Sequence, residues 1–263
     1  MAWAKIHAIN IQQGMVILPA HRPSSALIHQ TRFAPYWWAR TAATLHGTCQ
    51  MCLSRLTGRD KVVCQHCLSD FAYQQSPVKI GFLQAERTLL AYPICYYQYP
   101  INQIISQFKD HQKTDCFMIL SRLLDTLPKP EHCSRHNTVI IPVPTTTRRL
   151  RERGFNPVLM LAKYLSKHWQ LPIWQGVARA DNIAHQRGLS RQARLDNVVG
   201  DFYLLQALPV TQVILFDDVA TTGATLSAVA TLIGRQYPSV KILAVCLAHG
   251  SQQLGLERLA KHE

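Results

Sequence analysis

Two groups of residues in this 263-residue chain have the types and spacing to do chemistry. The first is built from thiols. Cys49-Gln-Met-Cys52 and Cys64-Gln-His-Cys67 form two C-x2-C pairs separated by eleven residues. Each pair can set two thiolates on one side of a tight turn, and two such turns supply four soft ligands for a tetrahedral Zn²⁺. Four thiolates leave no coordination position open, so the site reads as structural rather than catalytic. A redox dithiol is the alternative reading. His66 lies between two ligand candidates and reads as a bystander. Cys95, Cys116, Cys133 and Cys246 lack ligand spacing, and Cys95 and Cys246 fall in apolar runs that read as core.

The second group is the run V-I-L-F-D-D-V-A-T-T-G-A-T from Val213 to Thr225. An apolar strand ends in two adjacent carboxylates, Asp217 and Asp218. Ala220, Thr221, Thr222, Gly223 and Ala224 then form a small-residue loop that feeds a helix near Thr225. Ligands of open α/β sheets bind at the carboxyl ends of the strands. Backbone amides of such a loop and the helix N-terminus make an anion cradle, and the threonine hydroxyls add donors. Carboxylates beside a phosphate site repel it, unless the same ligand carries hydroxyls for them to accept from. The pattern therefore points to a sugar phosphate, a ribose diol with an attached phosphate. Helix capping by Asp and Thr after a strand is the plainer alternative. The run is not a Walker A motif, because no Gly-Lys-Ser/Thr is present.

Composition narrows the setting. The chain holds 28 Lys and Arg against 15 Asp and Glu, a formal charge of +13, which favours an anionic partner. Ten of those cations and only two acids fall between residues 145 and 195, so that stretch carries +8 of the +13. A solvated basic face is the plain reading; concentration in one stretch favours a phosphate-facing role. Hydrophobic residues make up 48%, as in a globular chain. No apolar run approaches the ~20 residues that span a bilayer. No secretory signal is evident at the N-terminus. Eight cysteines are too few for a disulfide scaffold, so a reducing cytoplasm is expected.

The elements that must position these groups follow from periodicity. Residues 1–44 carry three prolines and no clear period and read as a poorly ordered extension; a downstream start such as Met15 stays open. Residues 45–75 hold the cysteines. Residues 89–97 read as a strand, and Ile101, Ile104, Ile105 and Phe108 then give an amphipathic helix. A second helix runs from about 115 to 127 and stops before Pro128. Residues 138–143 are a β-branched strand followed by a basic loop. Asn156-Pro157 is an N-cap followed by proline at the first helical position. Strands at 213–216 and 240–245 flank the helix that opens at Thr225. Apolar strands alternating with amphipathic helices predict an α/β fold with a mostly parallel sheet covered on both faces.

The segment from Asp217 to Thr225 closely resembles the phosphoribosyl-pyrophosphate (PRPP) fingerprint of type I phosphoribosyltransferases. The wider set resembles the ComF/GntX family of competence-associated proteins. The matching parts are the two C-x2-C pairs, I-P-V-P from Ile141 to Pro144, and R-R-L-R-E-R-G-F-N from Arg148 to Asn156. Gln186, Leu189, Arg194 and Asn197 follow in matching spacing. The resemblance covers about residues 45–250. Three departures stand out: Ile183 where the family has Thr, Thr145-Thr146 where it has Leu-His, and Pro157 where Gln is common.

The resemblance implies a type I phosphoribosyltransferase fold over residues 88–250, with a small N-terminal zinc ribbon over 45–75. It implies that Asp217 and Asp218 accept from the ribose 2′- and 3′-hydroxyls. Residues 220–225 would hold the 5′-phosphate, and Thr145, Thr146, Arg148, Arg149, Arg151 and Arg153 would face the pyrophosphate, with Mg²⁺ arriving on it. Residues 179–197 would be a hood, with Gln186, Arg187 and Arg194 closing over the ligand. Asp217, Asp218 and Arg194 would form the catalytic set. The role implied is cytoplasmic: PRPP binding in support of DNA uptake or processing during natural transformation. Single-stranded DNA and competence-machinery proteins would be partners. Tyr96, Tyr97 and Tyr99 could stack bases, although tyrosines near a strand more often pack. Two other readings stay open: an active phosphoribosyltransferase on an unidentified acceptor, and a PRPP-sensing regulator.

Overall fold

The computed structural model describes residues 47–58, 62–81, 88–111, 113–180 and 201–250. Residues 1–44 and residues 181–197 of the expected hood lie outside the described residues. The first described elements are a cysteine-bearing turn and the short helix α1 (Gln65–Ser69). Strands β1 (Val78–Gly81) and β2 (Thr88–Tyr96) follow, then helices α2 (Ile101–His111) and α3 (Thr114–Leu124). Strand β3 (Thr138–Pro142) leads to α4 (Thr147–Arg153) and α5 (Pro157–Trp169). A hairpin of β4 (Val177–Arg179) and β5 (Phe202–Leu204) precedes β6 (Gln212–Ala220), α6 (Ala224–Gln236) and β7 (Lys241–His249).

Five strands form one sheet in the order β1-β2-β7-β6-β3. β2, β7, β6 and β3 are parallel, and only β1 runs antiparallel, on the edge. The expected mixed α/β fold with a mainly parallel sheet is therefore what the chain adopts. Buried parallel strands need apolar side chains on both faces, and β3 is buried at all five positions. Alternation along the strands divides the core. Ile140, Ile214, Phe216 and Val245 pack with α2, α3 and α5, whereas Val139, Ile141, Val213, Leu215 and Cys246 pack with α6.

Several expected elements hold. The 101/104/105/108 stripe is the buried face of α2. Asn156 caps α5, its side chain accepting from the Leu159 amide at 3.0 Å, with Pro157 opening the helix. Cys95 and Cys246 are fully buried in strands, and burial pushes the Cys95 thiol up to about 12, the behaviour of an inert core cysteine.

Two expectations are corrected. The basic loop after β3 is largely helix α4, because Thr146 caps it through the Arg149 amide at 3.3 Å and Gly154 ends it in the left-handed conformation. β6 continues past Phe216 to Ala220, because β7 keeps pairing with it through Asp217↔Cys246 and Ala220↔His249. Asp217 and Asp218 therefore sit in the strand, and the loop shrinks to residues 221–223.

Candidate functional site

The four cysteines come together. Their sulfur atoms all lie within 4.8 Å of one another. A tetrahedron with metal–sulfur bonds of ~2.3 Å has edges of roughly 3.8 Å, and Cys52 and Cys64 Sγ stand 3.7 Å apart. Local backbone amides point at two of the sulfurs. The amides of Met51 and Cys64 both donate to Cys49 Sγ at 3.4 Å, and the Cys67 amide donates to Cys64 Sγ at 3.5 Å. The side chain and backbone of Ser54 pull the Cys52 thiol down to about 6, whereas burial pushes Cys67 up. The donor set, its spacing and its amide bonds fit a thiophilic metal. His66 is exposed on α1 and absent from the cluster, in keeping with its reading as a bystander.

This module is not an appendage. Cys49, Val62, Val63, Cys67, Leu68 and Phe71 belong to the same apolar cluster as Tyr92, Ile94 and Cys95 of β2. The Gln74 amide donates to the Ile94 carbonyl at 2.8 Å, and the Tyr96 amide to that of Ala72 at 2.8 Å.

The second group gathers where the parallel strands end. At the end of β6, alternation turns Asp217 and Asp218 to opposite faces of the sheet. Asp218 is buried and faces α2, where Lys109 Nζ donates to its Oδ1 at 2.8 Å. The same nitrogen lies 2.8 Å from Oδ2, so one ammonium spans both oxygens of the carboxylate. Asp217 is half-buried by accessible surface yet densely enclosed by neighbouring atoms. That enclosure and the adjacent Asp218 charge hold its carboxyl well above the usual carboxylate range, opposed by the nearby Lys109 cation. Its Oδ1 accepts from the Asp218 amide at 2.9 Å.

Beyond the carboxylates, Thr221 and Thr222 are exposed and Gly223 starts α6 in the left-handed conformation, φ 71°. A Cβ on Gly223 would sit 2.6 Å from Ile80 of β1, so only glycine lets the loop close against the sheet. Thr222 Oγ1 accepts from the Ala224 amide at 3.3 Å. Gly223 at the N-cap offers no side chain, and Thr222 takes only the first amide of α6. The first amides of a helix have no partners within it and face an anion well.

Helix α4 leaves the same edge of the sheet, after β3. Residues 147–152 are exposed and Arg153 is half-buried. Arg148 pairs with Glu152 at 3.1 Å, and Arg153 reaches Asp110 of α2 at 3.3 Å. The structure thus gathers Asp217, Asp218, residues 220–225, Thr145, Thr146 and the arginines on one edge of the sheet. Gln186, Arg187 and Arg194 lie outside the described residues. Tyr96 and Tyr97 are half-buried and Tyr99 is exposed. Lys109 is the member that motif reading missed. It lies four residues after Ile105 and eight after Ile101, along the buried row of α2. A lysine there signals a buried partner, but nothing in the sequence says which.

The fold and its two residue groups define a mixed α/β protein with a four-cysteine cluster that could hold a metal and a threonine-glycine loop between β6 and α6. No protein-family model matches the chain. It has homologues over most of its length. It is 29% identical to the DNA utilization protein YhgH of Escherichia coli over 208 residues, 76% of this chain and 90% of that protein. It is also 29% identical to competence protein F of Haemophilus influenzae over 195 residues, 72% and 84% of the two chains. The expected ComF-type resemblance is thus met by relatives of that kind. Among solved structures, a xanthine-guanine-hypoxanthine phosphoribosyltransferase of Helicobacter pylori aligns at 14% identity and TM-score 0.33, covering 57% of this chain and 97% of that one. An orotate phosphoribosyltransferase of Aeropyrum pernix aligns at 16% identity and TM-score 0.31, covering 68% and 79%. Likeness at these scores is too loose to assign a fold or an activity. Among the described residues, no helix is long and apolar enough to cross a membrane.

Proposed function

We propose that this chain is a ComF-like cytoplasmic protein that binds PRPP at the carboxyl edge of its sheet and serves DNA uptake or processing in natural transformation. The observation that carries the reading is the succession Asp217, Asp218, residues 221–223 and the glycine-led start of α6, closed by Gly223 against Ile80. A carboxylate pair beside an anion cradle suits one ligand class, a phosphorylated sugar with free hydroxyls. The names of the two relatives supply the DNA context.

In this reading the amides and hydroxyls of residues 220–225 hold the 5′-phosphate, and Asp217 and Asp218 accept from the ribose hydroxyls. Thr145, Thr146, Arg148, Arg149 and Arg153 face the pyrophosphate, as charge-assisted donors to phosphate oxygens. Gln186 and Arg194 complete the site from the segment before β5. Mg²⁺ travels with the pyrophosphate, a hard cation suited to oxygen ligands. Zn²⁺ at Cys49, Cys52, Cys64 and Cys67 acts as a structural clamp for a module spanning residues 45–75, ahead of the PRPP-binding part at 88–250. The basic surface, α4 foremost, contacts the phosphates of single-stranded DNA, and competence-machinery proteins act alongside it.

The test is complementation. In a Haemophilus influenzae strain lacking competence protein F, the wild-type chain is expected to raise transformation frequency, and Asp217→Asn/Asp218→Asn is expected to fail at equal expression. Equal rescue by the double variant would overturn the sugar-phosphate part of the reading. No rescue by the well-expressed wild type would overturn the DNA part.

A further inference from the structure

We propose that Lys109 is a positioning residue of the sugar-phosphate site, the resident cation that orients the Asp218 carboxylate and lets two adjacent acids share the end of one strand. The inference deepens the PRPP reading and rests on it. Lys109 comes from α2, an element that the strand-end motif does not include. Ile101, Ile104, Ile105 and Phe108 anchor that helix in the core, each no more than 8% exposed. The next residue is thereby delivered to the end of β6, 109 positions further along the chain.

The geometry is specific. Asp218 has 4% of its side chain exposed and Lys109 22%, so the ammonium lies over the carboxylate. Two neighbouring acids at the end of a buried strand repel each other, and burial adds to the cost. One cation 2.8 Å from Asp218 opposes both effects in part. The charged and titratable groups around the pair come from each adjoining element. Lys109 lies on α2, Asp217 precedes Asp218 on β6, and the Cys246 thiol of β7 feels the charge of both acids. Farther out, Asp110 is engaged by Arg153 of α4. Lys109 Nζ lies 2.8 Å from both Oδ1 and Oδ2, so the ammonium occupies the carboxylate that a sugar hydroxyl would reach. A sugar hydroxyl takes the place of the ammonium at one oxygen once the lysine moves aside, as its flexible four-carbon stem permits. The displaced ammonium then meets the phosphates that the same ligand brings. Successive residues of α2 thus serve both halves of the site: Lys109 the carboxylates, and Asp110 the basic helix.

The experiment is calorimetric titration of PRPP with Mg²⁺ into zinc-loaded wild type, Lys109→Met, Lys109→Gln and Lys109→Arg, at several pH values from 6.5 to 8.5. Wild-type affinity is expected to vary little across this range. The two neutral variants should bind at least tenfold more weakly at pH 7, with a steeper pH dependence than wild type, because the cation that opposes the raised Asp217 carboxyl is gone. Lys109→Arg should stay within about threefold of wild type, because the charge is retained. Neutral variants that match wild type in affinity and pH profile would overturn the role of Lys109 while leaving the PRPP site intact. If the neutral variants do not fold, a folded Lys109→Arg that binds more than tenfold more weakly would overturn it as well. A folded wild type that does not bind PRPP would overturn the site reading, and the proposal with it.

Discussion

The cysteine module and the strand-end site are assembled in opposite ways. The module is local: four ligands fall within nineteen residues, and their supporting amides come from the same stretch. The strand-end site draws on β3, α4, β6 and α6, and its main charge contact joins residues 109 positions apart. A local site is specified by spacing alone. A distributed site depends on the fold, and its parts can be read from sequence only where the chain happens to be continuous. The two regions nevertheless share one apolar cluster, so damage to the module should reach the sheet.

Metal removal should separate the two regions with the largest effect. Metal analysis is expected to find about one zinc per chain. Chelation, or Cys49→Ser, should lower Tm by on the order of 10 °C, which for a chain of this size corresponds to roughly 3–5 kcal/mol. A Tm unchanged by complete metal removal would show that the cysteine turn folds without help.

Gly223→Ala tests the cradle. The left-handed φ costs a residue with a Cβ about 1–2 kcal/mol, and the clash with Ile80 adds to that. Denaturant unfolding should show a loss of about 2 kcal/mol or more, with the module's zinc content unchanged. A loss under 0.5 kcal/mol would mean that the loop does not close on β1.

Asp217→Asn should have the smallest effect, and of the opposite sign. Because the folded state holds this carboxyl well above its usual range, the folded protein binds more protons than the unfolded chain above about pH 4. Stability therefore falls as the pH rises from there toward the folded-state value. The asparagine variant escapes this penalty. Thermal melts should show it above wild type at pH 7, with the gap closing toward pH 4. A variant less stable than wild type at pH 7 would contradict the assigned environment of Asp217. A stabilising change at a binding residue is the usual sign of a site kept for function rather than for stability.

The same contrast explains what the sequence disclosed. The C-x2-C pairs and the D-D-V-A-T-T-G-A-T run were legible because each is continuous and each residue type has a chemical reason. The parallel sheet was legible from β-branched and apolar runs at 138–143, 213–216 and 240–245. The α4 helix was not, because four arginines in seven residues bury nothing and leave no periodic signal. The extension of β6 through Asp217 and Asp218 was hidden too, since acidic residues are poor strand formers and only pairing with β7 holds them there. Lys109 stood on a recognisable buried row, but its partner depended on where α2 crosses the sheet.

The central claim is that Asp217, Asp218 and the loop behind them bind a pyrophosphorylated ribose. Calorimetric titration of PRPP with Mg²⁺ into the zinc-loaded protein, beside Asp217→Asn/Asp218→Asn, tests it most directly. The account predicts saturable binding near one ligand per chain, lost in a double variant that keeps its zinc and its cooperative melt. Equal binding by the double variant, or none by the folded wild type, would contradict it.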